Sequence, residues 1–344
     1  MPSSDTPPNA VRACAEIAAL APRTAVEGPW LSGAFAALAR HRVLAAFVPV
    51  DAGGSGGTET QLVATLASVA EHCLTTALAL SQWAAAVRII AGGPPDARSR
   101  LPALARGERL TTVGISQLTT SRQHAGGPAL VATPAGDAWR LDGLCPWVTG
   151  ADAVDTIVTG AATTHGDRLF CVVPTSAAGL EIGPPLDMLA LSGSRTAAVR
   201  FQGVRVTEVI AAGPDGPRTG GLATTALAVG ATRAAVALVQ AEACARPGLV
   251  AVATGLGAEV DALDGRLTAA ATGGLAAPER DRLRADANGL VVRAAQAALT
   301  AAKGAGFVRG HPAERLARES LFFLVWSCPQ AVSSAVLCDL AGLE

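Results

Sequence analysis

The sequence predicts a multidomain α+β protein, with an N-terminal α-helical domain over residues 8–108, a middle antiparallel β-barrel or sandwich domain over 109–208 and a C-terminal helical bundle over 217–344. Three observations predict this order. Apolar residues recur at helical spacing through Ala-rich segments on both sides of the middle region. Between about 110 and 206 the period falls toward two, in short runs separated by Gly, Asp and Pro. Those runs succeed one another with no helical pattern between them, which argues against an alternating βαβ chain. With 344 residues, half of them apolar and 16% charged, the chain is long enough for two or three packed units.

In the first unit, Val11 to Leu20 and Gly33 to Leu44 read as helices, with Ser32 placed to cap the second. The cluster Gly53-Gly54-Ser55-Gly56-Gly57 permits tight turns and resembles a nucleotide-binding loop superficially. No Val/Ile-rich strand leads into a GxGxxG pattern there, so the dinucleotide reading is weak. Thr58 to Ile90 is helical throughout, Gly92-Gly93-Pro94-Pro95 stops it, and Leu101 to Glu108 closes the unit. Expected strands are Leu110–Gly114, Ala129–Thr133, Ala138–Asp142, Thr156–Ala161, Arg168–Pro174, Leu180–Gly183 and Arg195–Val206. After a Gly- and Pro-rich loop, helices are expected over Leu222–Ala245, 249–273 and Pro278–Lys303, the last with acids in its first turn. Another runs from His311-Pro312 to about Trp326, and a final helical piece follows.

Lys plus Arg (27) balances Asp plus Glu (28), leaving no broad basic field for nucleic acid or anionic lipid. Seven scattered cysteines without a CxxC pair indicate buried thiols in a reducing compartment and argue against structural zinc. The N-terminus lacks the basic-then-apolar order of a signal peptide, so a cytoplasmic protein is expected. Gly221 to Ala245 is the most membrane-like stretch, but Arg233 and Glu242 interrupt it, and it reads as a buried helix and not a membrane span.

Three blocks carry a resemblance. They are Trp139-Arg-Leu-Asp-Gly143 with Pro146-Trp147-Val148-Thr149-Gly150-Ala151, Gly179-Leu-Glu-Ile with Leu189 to Val206 around Ser194-Arg-Thr196, and Lys303-Gly-Ala-Gly306-Phe307 with Glu314-Arg315 and Arg318-Glu319. In order and spacing they resemble the acyl-CoA dehydrogenase superfamily, over nearly the whole chain. The resemblance implies a central β domain and a C-terminal four-helix bundle with FAD between them. It implies that Trp147 covers one face of the isoalloxazine and that Thr149 donates toward its N5 edge. Ser194 and Thr196 would join the cofactor-binding set, as would Ser116, Thr119 and Thr120, in the place of the family's "T-E-P-x-x-G-S-D" loop. Read without its neighbours, Trp147 is equally a core residue ending a strand. Ser116 to Ser121 is equally a rigid polar turn. His124, beside Arg122 and Gln123, is a phosphate or substrate contact or an ordinary loop residue.

The activity implied is α,β-dehydrogenation of an acyl-CoA or similar thioester, with electrons passed to an electron-transfer flavoprotein or another acceptor, in fatty acid or lipid metabolism. A homo- or hetero-oligomer is implied as well. The sequence departs from the family where the α-proton base belongs. At or near the position of the Glu in "Y-E-G-T" stands Trp326, and the alternative site around Gly220-Gly221-Leu222 has no acid either. Glu319 is the remaining candidate catalytic acid. Arg246 stands where relatives carry an "R-x-x-F-G" segment, as a remnant or as a helix cap. Arg315 and Arg318 read as salt-bridged, and Cys328 as a buried inert thiol. Two other readings stay open. A related flavin monooxygenase, with Phe322, Phe323 and Trp326 closing an apolar pocket, needs no such base. A non-catalytic partner subunit of a heteromeric acyl-CoA dehydrogenase needs none of this chemistry.

Overall fold

The computed structural model describes residues 5–28, 30, 33–119, 129–212, 221–326 and 330–342. Helices α1 (Pro8–Glu27), α2 (Ala34–Arg40) and α3 (Val43–Ala46) precede the glycine cluster, and α4 (Glu59–His72), α5 (Leu74–Ala91), α6 (Pro95–Arg98) and α7 (Leu101–Arg106) follow it. A capping box opens α4: the Gln61 amide donates to Thr58 Oγ1 at 3.2 Å and the Thr58 amide donates to Gln61 Oε1 at 3.1 Å. The single helix expected over Thr58–Ile90 is two, parted at Cys73, whose backbone is extended. Both helices are apolar on either side of the break, so periodicity continues across it and conceals it. The glycine cluster binds its own chain. The amides of Ser55, Gly56 and Gly57 donate to the carbonyls of Ala45, Val48 and Ala46, which leaves none of these three donors for a phosphate.

Eight strands form one sheet: β1 (Thr111–Gly114), β2 (Leu130–Ala135), β3 (Ala138–Val148), β4 (Thr156–Thr163), β5 (Arg168–Pro174), β6 (Leu180–Pro185), β7 (Ala197–Val206) and β8 (Val209–Ala211). A short helical turn, α8 (Ser116–Thr119), follows β1. The strand order is β6-β7-β3-β2-β4-β5-β8, with β1 also on β4. The sheet is mixed. Most pairs are antiparallel, as expected, but β1 and β2 both run parallel to β4, pairing Gly114 with Thr159 and Val131 with Ala162. Alternation within a strand carries no information about the direction of its neighbour, which is why these two pairings are invisible in the pattern.

β3 runs six residues past the expected Asp142, through Gly143 and Pro146. Its pairing with β7 shifts register between Cys145 and Val148, where three steps on β3 face two on β7. This bulge accommodates Pro146, which has no N–H to offer the ladder. It also resets the alternation, so that Cys145 and Val148 are buried while Trp147 between them points outward.

The chain then returns to helices: α9 (Gly221–Ala245), α10 (Val250–Ala271), α11 (Ala277–Gly306), α12 (Pro312–Ser320) and α13 (Gln330–Ala341). α9 is central and packs on α4, α10 and α11. Only α5 and α9 among the described residues are long and apolar enough to cross a membrane, and 67% of each apolar window is buried against other parts of the protein. One apolar core runs from α1 through the sheet to Phe323 without interruption.

The α4–α9 contact depends on Gly230, where an added Cβ would lie 2.1 Å from the Ala67 carbonyl oxygen. A Gly230→Val variant is expected to lose about 1–3 kcal/mol by overpacking. Urea unfolding followed by circular dichroism would reveal this as a lower midpoint with an unchanged slope.

Candidate functional site

The end of β3 and the start of β7 lie side by side, with Val148 opposite Ala197. This pairing brings two of the sequence blocks to one place. Thr149 Oγ1 lies 3.2 Å from Thr196 Oγ1, which lies 2.8 Å from Ser194 Oγ, forming a buried chain of hydroxyls. Trp147 stands beside it in sequence with 53% of its surface exposed, a high value for the largest apolar side chain. Thr149, Ser194 and Thr196 are therefore brought together as expected, with Trp147 on the adjoining strand end, while the indole is not the core residue of the alternative reading.

The backbone around Ser194 is strained. Leu191 (φ 61°) and Arg195 (φ 52°) flank the 3₁₀ turn Ser192–Ser194 in the left-handed region, each at a cost of about 1–2 kcal/mol. Surrounding structure holds them there. Arg195 makes a two-pronged ion pair with Asp152, its Nε donating to Oδ1 at 3.0 Å. The indole N–H of Trp30 donates to the Ser194 carbonyl at 3.4 Å, and the same ring stacks on Phe35 at 4.6 Å. Gly150 (φ 66°) lies so close to Trp30 that a Cβ there would fall 2.2 Å from the ring. The N-terminal helices thus form the floor beneath the hydroxyl chain. Sequence reasoning did not identify Trp30, Asp152 or Arg195 as site residues, because their partners are 164 and 43 positions away.

Ser116 and Thr119 begin and end α8, directly after β1. Thr120, His124 with its neighbours Arg122 and Gln123, and Cys328 lie outside the described residues. The dominant side chain of the turn is Gln117, 6% exposed. Its Nε2 donates to the Gly160 carbonyl at 2.6 Å and lies 3.3 Å from both the Gly114 carbonyl and Thr159 Oγ1. Its Oε1 accepts from Cys145 Sγ at 3.0 Å. Burial pushes the Cys145 thiol up to about 12, so it stays protonated and can donate.

Glu319 is the buried acid of α12, 4% exposed. Burial raises its carboxyl from an ordinary 4.5 to about 7, against the pull of Arg315 and Arg318. It lies within electrostatic reach of Cys73 at the α4–α5 junction. Arg318 is salt-bridged to Glu314 at 2.5 Å and donates to the Leu189 carbonyl at 3.1 Å, joining α12 to the segment before Ser192. Phe322 stacks on Trp326 at 4.8 Å, and Phe323 is fully buried. Asn288 and Arg284 of α11 donate to the carbonyls of Phe323 and Trp326. Arg246 is a helix-end residue: it pairs with Glu242 and donates to the Ala301 carbonyl.

No family model matches the chain. It is 30% identical over 169 residues to the probable acyl-CoA dehydrogenase YngJ of Bacillus subtilis (strain 168), covering 46% of this chain and 43% of that one. It is 24% identical over 172 residues to the human mitochondrial short-chain specific acyl-CoA dehydrogenase, covering 48% and 41%. The matches thus span less than half the length of these relatives. Solved structures align over far more. A glutaryl-CoA dehydrogenase from Mycobacterium smegmatis in complex with FADH2 superposes with a TM-score of 0.81 at 16% identity, over 98% of this chain and 96% of that one. KijD3 in complex with FMN and a dTDP-linked amino keto sugar gives 0.80 at 19%, over 98% and 96%. The dibenzothiophene monooxygenase TdsC from Paenibacillus sp. A11-2 gives 0.78 at 16%, over 97% and 96%. At these identities the likeness is one of fold.

Two predictions follow from the geometry. Thr196→Val removes the middle hydroxyl and leaves Thr149 and Ser194 without it, at a cost of about 1–3 kcal/mol in denaturant unfolding, whereas Thr196→Ser keeps most of the stability. For Glu319, the folded protein holds a proton more tightly than the unfolded chain, so this group's contribution is fully present below about pH 4.5 and is lost as pH rises through about 7. The melting temperature of Glu319→Gln minus that of the wild type is therefore expected to be larger at pH 8 than at pH 5.

Proposed function

We propose that the chain is a member of the acyl-CoA dehydrogenase superfamily and an FAD-dependent oxidoreductase acting on an acyl-CoA or similar thioester, a reading supported by acyl-CoA dehydrogenases among its sequence relatives and by the likeness of fold over nearly its whole length. The observation that carries this reading is the outward-facing Trp147 beside the hydroxyl chain of Thr149, Thr196 and Ser194. These residues suit a flavin chemically. A flat indole with half its surface free offers a stacking face, and hydroxyls at its side donate to carbonyl and ring nitrogen acceptors. Ser116 and Thr119, with Thr120 following, offer small polar contacts for the rest of the cofactor. We take the stretches 8–108, 109–208 and 217–344 as the three units that would enclose it.

Bound there, FAD supplies a two-electron acceptor. The protein's part is to bind and orient. Trp147 would cover one face of the ring and exclude water there, and the Thr149 hydroxyl would be a donor beside it. Glu319 is our candidate for accepting the substrate α proton, since a carboxyl near 7 is partly ionised at neutral pH. We further infer a cytoplasmic protein that passes electrons to an electron-transfer flavoprotein or similar acceptor and works as an oligomer.

A second reading is a flavin monooxygenase, which requires no α-proton base. It is favoured by the acid-free segment Phe322–Trp326, in which Phe322 stacks on Trp326 at 4.8 Å. The absorption spectrum of the purified protein tests both readings. Flavin bands bleached by acyl-CoA under anaerobic conditions are expected for the dehydrogenase. Bands bleached by dithionite or NADH alone would move the assignment to oxygen chemistry, and a protein that remains colourless after incubation with FAD would point to the non-catalytic partner subunit. Trp147→Ala is expected to weaken FAD binding at least about tenfold, read from quenching of flavin fluorescence.

A further inference from the structure

We propose that Gln117 is the positioning residue of the turn that begins at Ser116, and that the position requires an amide in place of a carboxylate; the cofactor part of this inference rests on the flavin reading above. The acceptors around the side chain determine its orientation. Beside Nε2 lie the carbonyls of Gly160 and Gly114, at 2.6 and 3.3 Å, and a carbonyl can only accept. Thr159 Oγ1, also 3.3 Å away, spends its own proton on the Gly114 carbonyl at 3.0 Å. The oxygen end faces Cys145 Sγ, a protonated donor. One buried side chain thus joins the end of β1, the middle of β4 and the bulged part of β3, two residues before Trp147.

A carboxylate has the same shape and the wrong polarity. One of its oxygens would meet the Gly160 carbonyl at hydrogen-bond distance with no proton between them. The turn would then be pushed off β4, and Ser116 with it. Loss of the tether also uncovers Cys145 while leaving distant cysteines packed. Cys14 in α1 and Cys73 at the α4–α5 junction are buried, and Cys244 is exposed, so the protein carries its own controls; Cys171, paired with Thr159 on β4, is too near the tether to serve as one.

The experiment labels native wild-type, Gln117→Glu and Gln117→Met protein with N-ethylmaleimide and maps the modified cysteines by mass spectrometry. FAD dissociation constants are measured on the same preparations. In both variants Cys145 is expected to label at least about tenfold faster relative to Cys244, with Cys14 and Cys73 still protected, and FAD affinity is expected to fall about tenfold or more. Gln117→Glu is expected to recover toward the wild type at pH 5, where a protonated carboxyl can donate to Gly160. Gln117→Met is the milder lesion and decides the matter if the Glu variant does not fold. Continued protection of Cys145 in either folded variant would overturn the tether, as would Cys14, Cys73 and Cys145 becoming reactive together, since that is global loosening. Faster Cys145 labelling with unchanged FAD affinity would overturn the positioning role. If the wild type takes up no FAD, the flavin reading fails, and the labelling pattern still decides whether Gln117 anchors the turn.

Discussion

The antiparallel pairing of β3 with β7 is the constraint on which the site depends. Trp147 and Ser194 are 47 positions apart, and only the register that sets Val148 against Ala197 brings their strand ends together. The bulge before Val148 does the rest by turning one aromatic ring outward while Cys145 and Val148 stay in the core. A one-residue slip would bury the indole and expose Val148, so the orientation of the site is specified by the packing of the whole sheet. Beneath this pair, Trp30 and the end of α1 hold the strained Ser192–Ser194 turn in a conformation its own residues disfavour.

Helical packing supplies the second constraint. α9 lies against both the early helices and the late ones, at a separation that only a residue without a side chain permits at position 230. Because α12 packs on α9 and α11 and sets Glu319 within electrostatic reach of Cys73, the acid is buried among units distant in sequence. Its proton affinity is therefore a property of the assembled fold and cannot be read from the Arg-rich segment in which it sits.

Much of the architecture was legible. Periodicity located the helical and β regions, and the hydroxyls of Thr149, Ser194 and Thr196 were legible because each sits in a block whose spacing is distinctive. What escaped the sequence did so for physical reasons. Cys73 interrupts a helix without interrupting its apolar pattern. β8 is three residues long, too short for alternation to be recognised. Pro146 and Gly143 look like strand breakers until a bulge accommodates them. Gln117 gave no signal, since the acceptors on β4 that define its role lie 42 and 43 residues further along the chain.

β1 and β2 lie on β4, with Gly114 matched to Thr159 and Val131 to Ala162, three residues further on. The excursion between them leaves and re-enters the sheet at nearly the same point. Both ends of the connection are thus fixed on β4, by β1 and the Gln117 tether on one side and by β2 on the other, so these strand registers do not depend on how many residues lie between Thr119 and Leu130. Such an arrangement lets descendants of one scaffold diversify the molecules they accept while inheriting the same supporting sheet intact.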